Sequence, residues 1–304
     1  MREYELQKNT GFKKWWQMLR PHTLSASFVP VALGTALVFP VKSPSPSLFI
    51  AMMTASMLIQ IATNLFNEYF DYKRGLDDTE SVGIGGSIVR DGIHPKTVLH
   101  LAFSLCFAAM LIGVYICVNS SWWIALAGSI CMLTGYLYSG GPYPIAYTPF
   151  GELISGLFMG VFIIWISFFI QTGMLTVNCI LISIPIGILV GGINMANNIR
   201  DLSRDQAKGR HTLPILLGQP RAITMLAFLF TFSYIWIIGL MLLRVESAWL
   251  LLVFASLPKA IQATKLFRNK TKAIQMMPAM KATAQMQTLF GILLSIGLLI
   301  DHFF

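Results

Sequence analysis

The chain has 304 residues, 55% of them apolar and only 12% charged, with 22 Lys and Arg against 13 Asp and Glu. Soluble domains carry about 25% charged residues, so this composition excludes an ordinary water-soluble fold and implies a membrane protein. The net charge of +9 falls in short stretches between apolar runs, which is the pattern of membrane topology and not of nucleic-acid binding.

In chain order, residues 1–18 carry Lys8, Lys13, Lys14, Trp15 and Trp16 and predict an interfacial lead-in with aromatic anchors, not a cleaved leader. Apolar runs of about 20 residues then predict about nine spans, near 19–40, 48–70, 97–118, 121–140, 149–171, 177–198, 221–243, 246–264 and 283–303. The expected fold is all-α, a multi-pass transmembrane helical bundle. Cys106, Cys117, Cys131 and Cys179 lie inside apolar stretches with no CxxC pair and read as packed free thiols.

Span two ends in Asn64-Leu-Phe-Asn67-Glu68-Tyr69-Phe-Asp71-Tyr-Lys73-Arg74-Gly75-Leu-Asp77-Asp78. At helical pitch Asn64, Asn67 and Asp71 share a face. Converging oxygen ligands of this kind suit a hard cation such as Mg²⁺, which is held by one or two carboxylates together with substrate phosphates. The spacing returns at the end of span six as Asn194, Asn197 and Asp201, with Asp205 one turn later. The two copies read as halves of one diphosphate–metal site.

Several neighbouring stretches fit that reading. The first loop continues through Ser81, Gly83, Gly85, Gly86 and Ser87 to Arg90, glycines that let backbone approach phosphate and a cation to neutralise it. Lys208 and Arg210 follow the second motif, adding base for phosphate oxygen to acid for metal. Tyr138 ends span four; its ring face suits a developing cation, and a membrane-interface tyrosine belt is the competing reading. Glu152 opens span five, either as a functional intramembrane acid or as a favourable charge at a helix N-terminus. Arg20, at the start of span one, either reaches an acidic substrate or sets topology. His22, His94, His100 and His302 have no zinc-ligand spacing, and Walker, dinucleotide and GxSxG motifs are absent.

Basic residues concentrate in the N-terminal segment and in the loops after spans two, six and eight. The positive-inside rule puts these on the cytoplasmic side, with the N-terminus inside and the C-terminus outside. Both motifs fall on that side. They lie four helices apart, so the halves run in the same direction, implying two parallel four-helix halves plus one helix, not the inverted repeat common in transporters.

On these residues the chain resembles the UbiA superfamily of intramembrane prenyltransferases, and within it the 1,4-dihydroxy-2-naphthoate polyprenyltransferase branch. The likeness rests on Arg20-Pro-His22-Thr-Leu, the Asn64–Asp78 motif, Ser81–Gly92, Tyr138-Ser-Gly-Gly-Pro, Ala146–Glu152 and Asn197–Gly218. It departs from the general N-D-x-x-D-x-x-x-D pattern: Glu68 replaces the first Asp and Gly75 the last, leaving Asp77 and Asp78 as alternative ligands.

The resemblance implies one domain over 1–304, with cap loops at 71–96 and 199–220. It implies Mg²⁺ on Asn67, Asp71, Asp77, Asp201 and Asp205, and diphosphate contacts from Asn64, Lys73, Arg74, Arg90, Asn197, Lys208 and Arg210. It further implies catalytic roles for Asp71, Asp201 and Tyr138, and an acceptor region at Arg20, His22 and Glu152. The implied partners are a polyprenyl diphosphate, 1,4-dihydroxy-2-naphthoate and the bilayer of a bacterial plasma membrane, and the implied reaction is prenyl transfer with decarboxylation in menaquinone biosynthesis. A different aromatic acceptor is the alternative within the class. A cation-coupled transporter is the alternative outside it, disfavoured by the parallel repeat and the loop position of the acids. A CDP-alcohol phosphotransferase would need a single D-G-x-x-A-R run, which is absent.

Overall fold

Why the apolar runs become helices is visible at their ends. The computed structural model describes residues 11–20, 23–77 and 86–304; His22, Asp78 and Ser81–Gly85 lie outside these. After a short lead-in helix α1 (Phe12–Met18), the first half of the chain forms α2 (Ser25–Ala36), α3 (Pro46–Lys73), the one-turn α4 (Ser87–Asp91), α5 (Pro95–Asn119) and α6 (Trp123–Ser139). Both α3 and α5 begin with proline, whose fixed φ suits the first helical position and whose missing N–H is not needed there.

In the second half, α7 (Gly151–Ser155) passes through a π-helical segment (Gly156–Val161) into α8 (Phe162–Thr172). Then come α9 (Val177–Ala207), α10 (Leu213–Leu217), α11 (Gln219–Leu242), a 3₁₀ segment (Ala248–Ser256) continuing into α12 (Leu257–Phe267), and α13 (Ala273–Phe303). Thr176 caps α9 by accepting from the Cys179 N–H at 3.2 Å. Seven of these segments are long and apolar enough to span a membrane, and α2 and α6 are shorter apolar helices. Together they fall on the nine expected stretches, although α2 covers only the middle of 19–40.

The ends differ from the expectation in an informative way. Helix α9 continues through the polar residues 199–207, which the sequence reading assigned to a cap loop. Helix α13 starts at Ala273, ten residues before the expected 283. Good helix formers sustain both extensions, Arg, Leu, Gln and Ala on α9 and Ala, Gln, Met and Lys on α13, while the polar and charged residues among them lower the hydropathy. Asn64, Asn67, Asp71, Asn194, Asn197, Asp201 and Asp205 therefore ride on helix ends, and Asp77, Lys208 and Arg210 lie just past them.

Helix α9 is central, packing against the π segment, α11 and α13. Its close approach to the π segment is made by glycines: a Cβ on Gly156 would lie 2.4 Å from the Gly187 carbonyl oxygen, and one on Gly160 would lie 2.5 Å from Gly187 Cα. Small residues four apart on both partners give the backbone proximity on which helix association in lipid depends. The main core surrounds this crossing, with Leu33, Phe168, Ile182, Ile186, Leu189, Phe230 and Phe290 fully or almost fully buried. A second cluster, including Met18, Leu65, Phe66, Ile88 and Val98, fixes α1 and α4 beside α3 and α5.

Candidate active site

The polar ends of α3 and α9 meet. Arg210, just past α9, donates to Asp71 Oδ1 at 2.8 Å and pairs with Asp205 Oδ2 at 3.3 Å, so one guanidinium joins the two motifs across 139 residues of sequence. Its face lies over the Tyr147 ring, 5.1 Å from the centroid. Burial works against its charge, but the Asp71 and Asp205 carboxylates outweigh that and raise the Arg210 pKa above its ordinary value. Lys208 donates to the Gly75 carbonyl oxygen, which ties the same two segments together again.

Around this junction most motif side chains hold one another. Asn67 accepts from the Ser139 hydroxyl at the end of α6. Arg74 donates to the Ser139 and Gly141 carbonyl oxygens and lies between the Phe70 and Tyr147 rings, so its cation closes the C-terminal end of α6. Asn64 donates to the Leu19 carbonyl oxygen at 3.2 Å and to Thr23 Oγ1 at 2.9 Å, anchoring the entry to α2. Asp201 pairs with the adjacent Arg200. Arg90 pairs with buried Asp91 at 2.9 Å, and Lys73 is exposed at the end of α3.

Glu68 has a role that the sequence reading did not assign. It is fully buried, accepts from the Gly86 and Ile88 N–H groups at 3.1 and 3.0 Å, and faces Arg20 at 3.5 Å. A carboxylate is favourable at those exposed N–H groups at the start of α4, and the left-handed backbone of Gly86, φ 83°, brings them to it. The Glu that stands at this position thus holds the start of α4. Arg20, expected near the acceptor, shares its charge with Glu68 at the cavity edge. Tyr147 was also missed; its place in Ala146–Glu152 was the available signal.

Among the described residues no three carboxylate, imidazole or thiol side chains already form a metal cage. Asp77 nevertheless has a buried Oδ2 without a hydrogen-bond partner. Its carboxyl is pushed up to about 7, first by burial and then by the charges of Asp71 and Glu68. A desolvated oxygen donor amid excess negative charge fits a hard cation, so the donor set of Asn67, Asp71, Asp77, Asp201 and Asp205 is chemically suited to one.

Below the junction opens a cavity of about 1550 Å³, larger than the roughly 300–1,000 Å³ of drug-sized pockets. Asn64, Asn67, Asn194, Asn197, Tyr138 and Arg20 line its polar end, and apolar residues such as Met52, Ile59, Met110, Val114, Phe158 and Ile166 line much of the rest. Tyr138 Oη accepts from Asn194 Nδ2 at 2.6 Å, which fixes the ring. Glu152 Oε1 accepts from Asn198 Nδ2 at 2.8 Å while Oε2 has no partner; this acid links α7 to the second motif. The arrangement puts charged groups at the mouth and a largely apolar space beneath it.

Residues 27–284 match the UbiA prenyltransferase family. The chain is 56% identical to the 1,4-dihydroxy-2-naphthoate octaprenyltransferase of Bacillus subtilis, covering 98% of this chain and 96% of that protein. Among solved structures it resembles the apo UbiA homolog from Aeropyrum pernix, with a TM-score of 0.67 at 16% identity, covering 92% of this chain and 98% of that one. It also resembles the UbiA homolog from Archaeoglobus fulgidus bound to GPP and Mg²⁺, with a TM-score of 0.63 at 16% identity, covering 93% and 99% respectively.

Proposed function

The chain belongs to the UbiA prenyltransferase family, and from that premise we propose that it transfers a polyprenyl group from a polyprenyl diphosphate to 1,4-dihydroxy-2-naphthoate, with loss of CO₂. The observation that carries this reading is the meeting of Asp71 and Asp205 on Arg210 above a large apolar cavity. The 56% identity to the Bacillus subtilis 1,4-dihydroxy-2-naphthoate octaprenyltransferase supports naphthoate as the acceptor.

In this reading Asn67, Asp71, Asp77, Asp201 and Asp205 would hold Mg²⁺, which when bound supplies positive charge to the departing diphosphate. Arg210 and Lys208 add charge-assisted hydrogen bonds to phosphate oxygens. The allylic C–O bond breaks and its electron pair leaves with diphosphate. Tyr138, oriented by Asn194, turns its ring toward the allylic cation, and the apolar wall excludes the water that would quench it. The ring carbon bearing the carboxylate bonds to the allylic carbon. CO₂ then departs, and the electron pair of the broken bond restores the aromatic ring, leaving demethylmenaquinol. Topology belongs to the same proposal: the basic loops put the site and the N-terminus on the cytoplasmic face of a bacterial plasma membrane.

The test is a product assay on purified protein in detergent, with naphthoate and a polyprenyl diphosphate, in Mg²⁺ or in EDTA. A prenylated, decarboxylated naphthoquinone formed only with the metal is expected. Product with another aromatic acceptor but none with naphthoate would overturn the acceptor assignment.

A further inference from the structure

Two lysines stand in the cavity wall within membrane-spanning helices. Lys259 on α12 and Lys281 on α13 both line the cavity, and the two helices pack together. Each lysine lies eight residues in from a helix end, at Phe267 and Ala273 respectively, which is about 12 Å along the axis at 1.5 Å per residue. They therefore sit at matched depth. The late start expected for the last span had left Lys281 in a loop; the longer α13 puts it inside.

A lysine at such a position is costly unless it faces a polar cavity or a partner. Lys259 donates to the uncharged Gln262 Oε1 at 3.3 Å, and neither lysine has a carboxylate partner among the described residues. The described cavity lining contains Arg20, Lys259 and Lys281 but no Asp or Glu, and Arg20 is answered by Glu68. Gln285 and Thr288 follow Lys281 on the same cavity-lining face of α13. Met280, next to Lys281, receives the Arg200 guanidinium at 2.9 Å, which sets this stretch beside Asp201. Lys259 and Lys281 thus bring to the cavity wall, beside the second motif, positive charge that no carboxylate among the described residues answers.

We propose that Lys259 and Lys281 form an anion subsite that receives the carboxylate of the aromatic acceptor and turns its carboxylate-bearing carbon toward the donor's allylic end. This rests on the prenyl-transfer reading above. A single carboxylate matches two lysines on flexible stems, whereas the diphosphate has Arg210, Lys208 and the acidic motifs at the mouth.

Steady-state kinetics on the full-length protein in neutral detergent test it, comparing wild type with Lys259→Met, Lys281→Met and Lys281→Arg. Met keeps most of the stem's volume. The expected result is a rise of about ten- to hundredfold in KM for naphthoate in the Met variants, partial rescue by Arg, and an unchanged KM for the prenyl diphosphate. Binding of 1-hydroxy-2-naphthoate, a stable carboxylated analogue, should weaken in parallel, and this is readable even where turnover is low. No product from wild type would overturn the functional reading itself. Wild-type turnover with unaltered acceptor KM and analogue binding in both Met variants would overturn the subsite alone. A rise in donor KM instead, or an effect seen only in bilayers containing anionic lipid, would overturn it too, by assigning the lysines to diphosphate or to a lipid headgroup.

Discussion

At the scale of single residues, Asp71 and Asp201 occupy corresponding positions in the two motifs but have different neighbours: Asp71 faces Arg210 at 2.8 Å, and Asp201 is held by the adjacent Arg200. Replacing either by Ala should lower kcat by about 100-fold or more, the scale of losing a transition-state charge partner; full activity in both would sink the metal assignment. Glu246, in the loop after α11, has its carboxyl pushed up to about 7 by burial first and by Asp301 second. Between the ordinary 4.5 and that value the folded chain keeps a proton that the unfolded chain has released. Stability should therefore fall as pH rises through this window and level off above it. Thermal unfolding in detergent across the window should show that slope in wild type and a flatter one in Glu246→Gln; equal slopes would count against it. The sequence showed which polar residues are grouped together, because Asn and Asp at i, i+3 and i+7 share a helix face wherever the helix goes. It did not reveal their partners. Arg210 spanning both motifs, Glu68 capping α4 and Tyr147 beneath two guanidiniums depend on packing between distant segments.

At the scale of elements, the nine spans were legible because about 20 apolar residues cross a bilayer, while their ends were not. Polar helical turns on α9 and α13 look like loops to a hydropathy reading. The π segment left only an indirect trace, the paired glycines Gly156/Gly160 and Gly187/Gly191. Their geometry makes an ordered prediction. Gly156→Ala meets the Gly187 carbonyl oxygen at 2.4 Å, whereas Gly187→Ala meets the movable Val161 Cγ2 at 2.6 Å, and Gly239→Ala on α11 meets nothing within 4 Å. Overpacking against backbone costs about 1–3 kcal/mol, so thermal unfolding should rank Gly156→Ala as least stable, then Gly187→Ala, with Gly239→Ala at or above wild type. A reversed order would show that the π segment yields more easily than the α9 crossing implies.

For the whole molecule, the inference that both motifs share one side came from charge alone, and the contacts of Arg210 and Lys208 bring those ends together. Which side faces the cytoplasm has a direct measurement. With the four native cysteines replaced, Ser43→Cys and Thr271→Cys should react with a membrane-impermeant thiol reagent from opposite faces, Ser43→Cys from outside. Labelling of both from one face would overturn the topology. A central cavity is implied by the family resemblance, but its volume and lining were not readable from sequence, since they arise where helices fail to touch and periodicity reports only where they do.

In the proposed reaction Arg210 would make the mouth of that cavity an exchanger. The guanidinium already answers Asp71 and Asp205, so a cation binding those acids would displace it and free it for an anion. Entry of cation and anion is thereby favoured as a pair over either alone, and such coupling is reciprocal. Mg²⁺ should bind more tightly in the presence of a non-hydrolysable prenyl diphosphate analogue, and the analogue more tightly by the same factor with Mg²⁺. In Arg210→Met that factor should shrink toward the direct attraction between Mg²⁺ and the diphosphate alone, because no resident charge has to be moved aside; an unchanged factor would overturn the exchange.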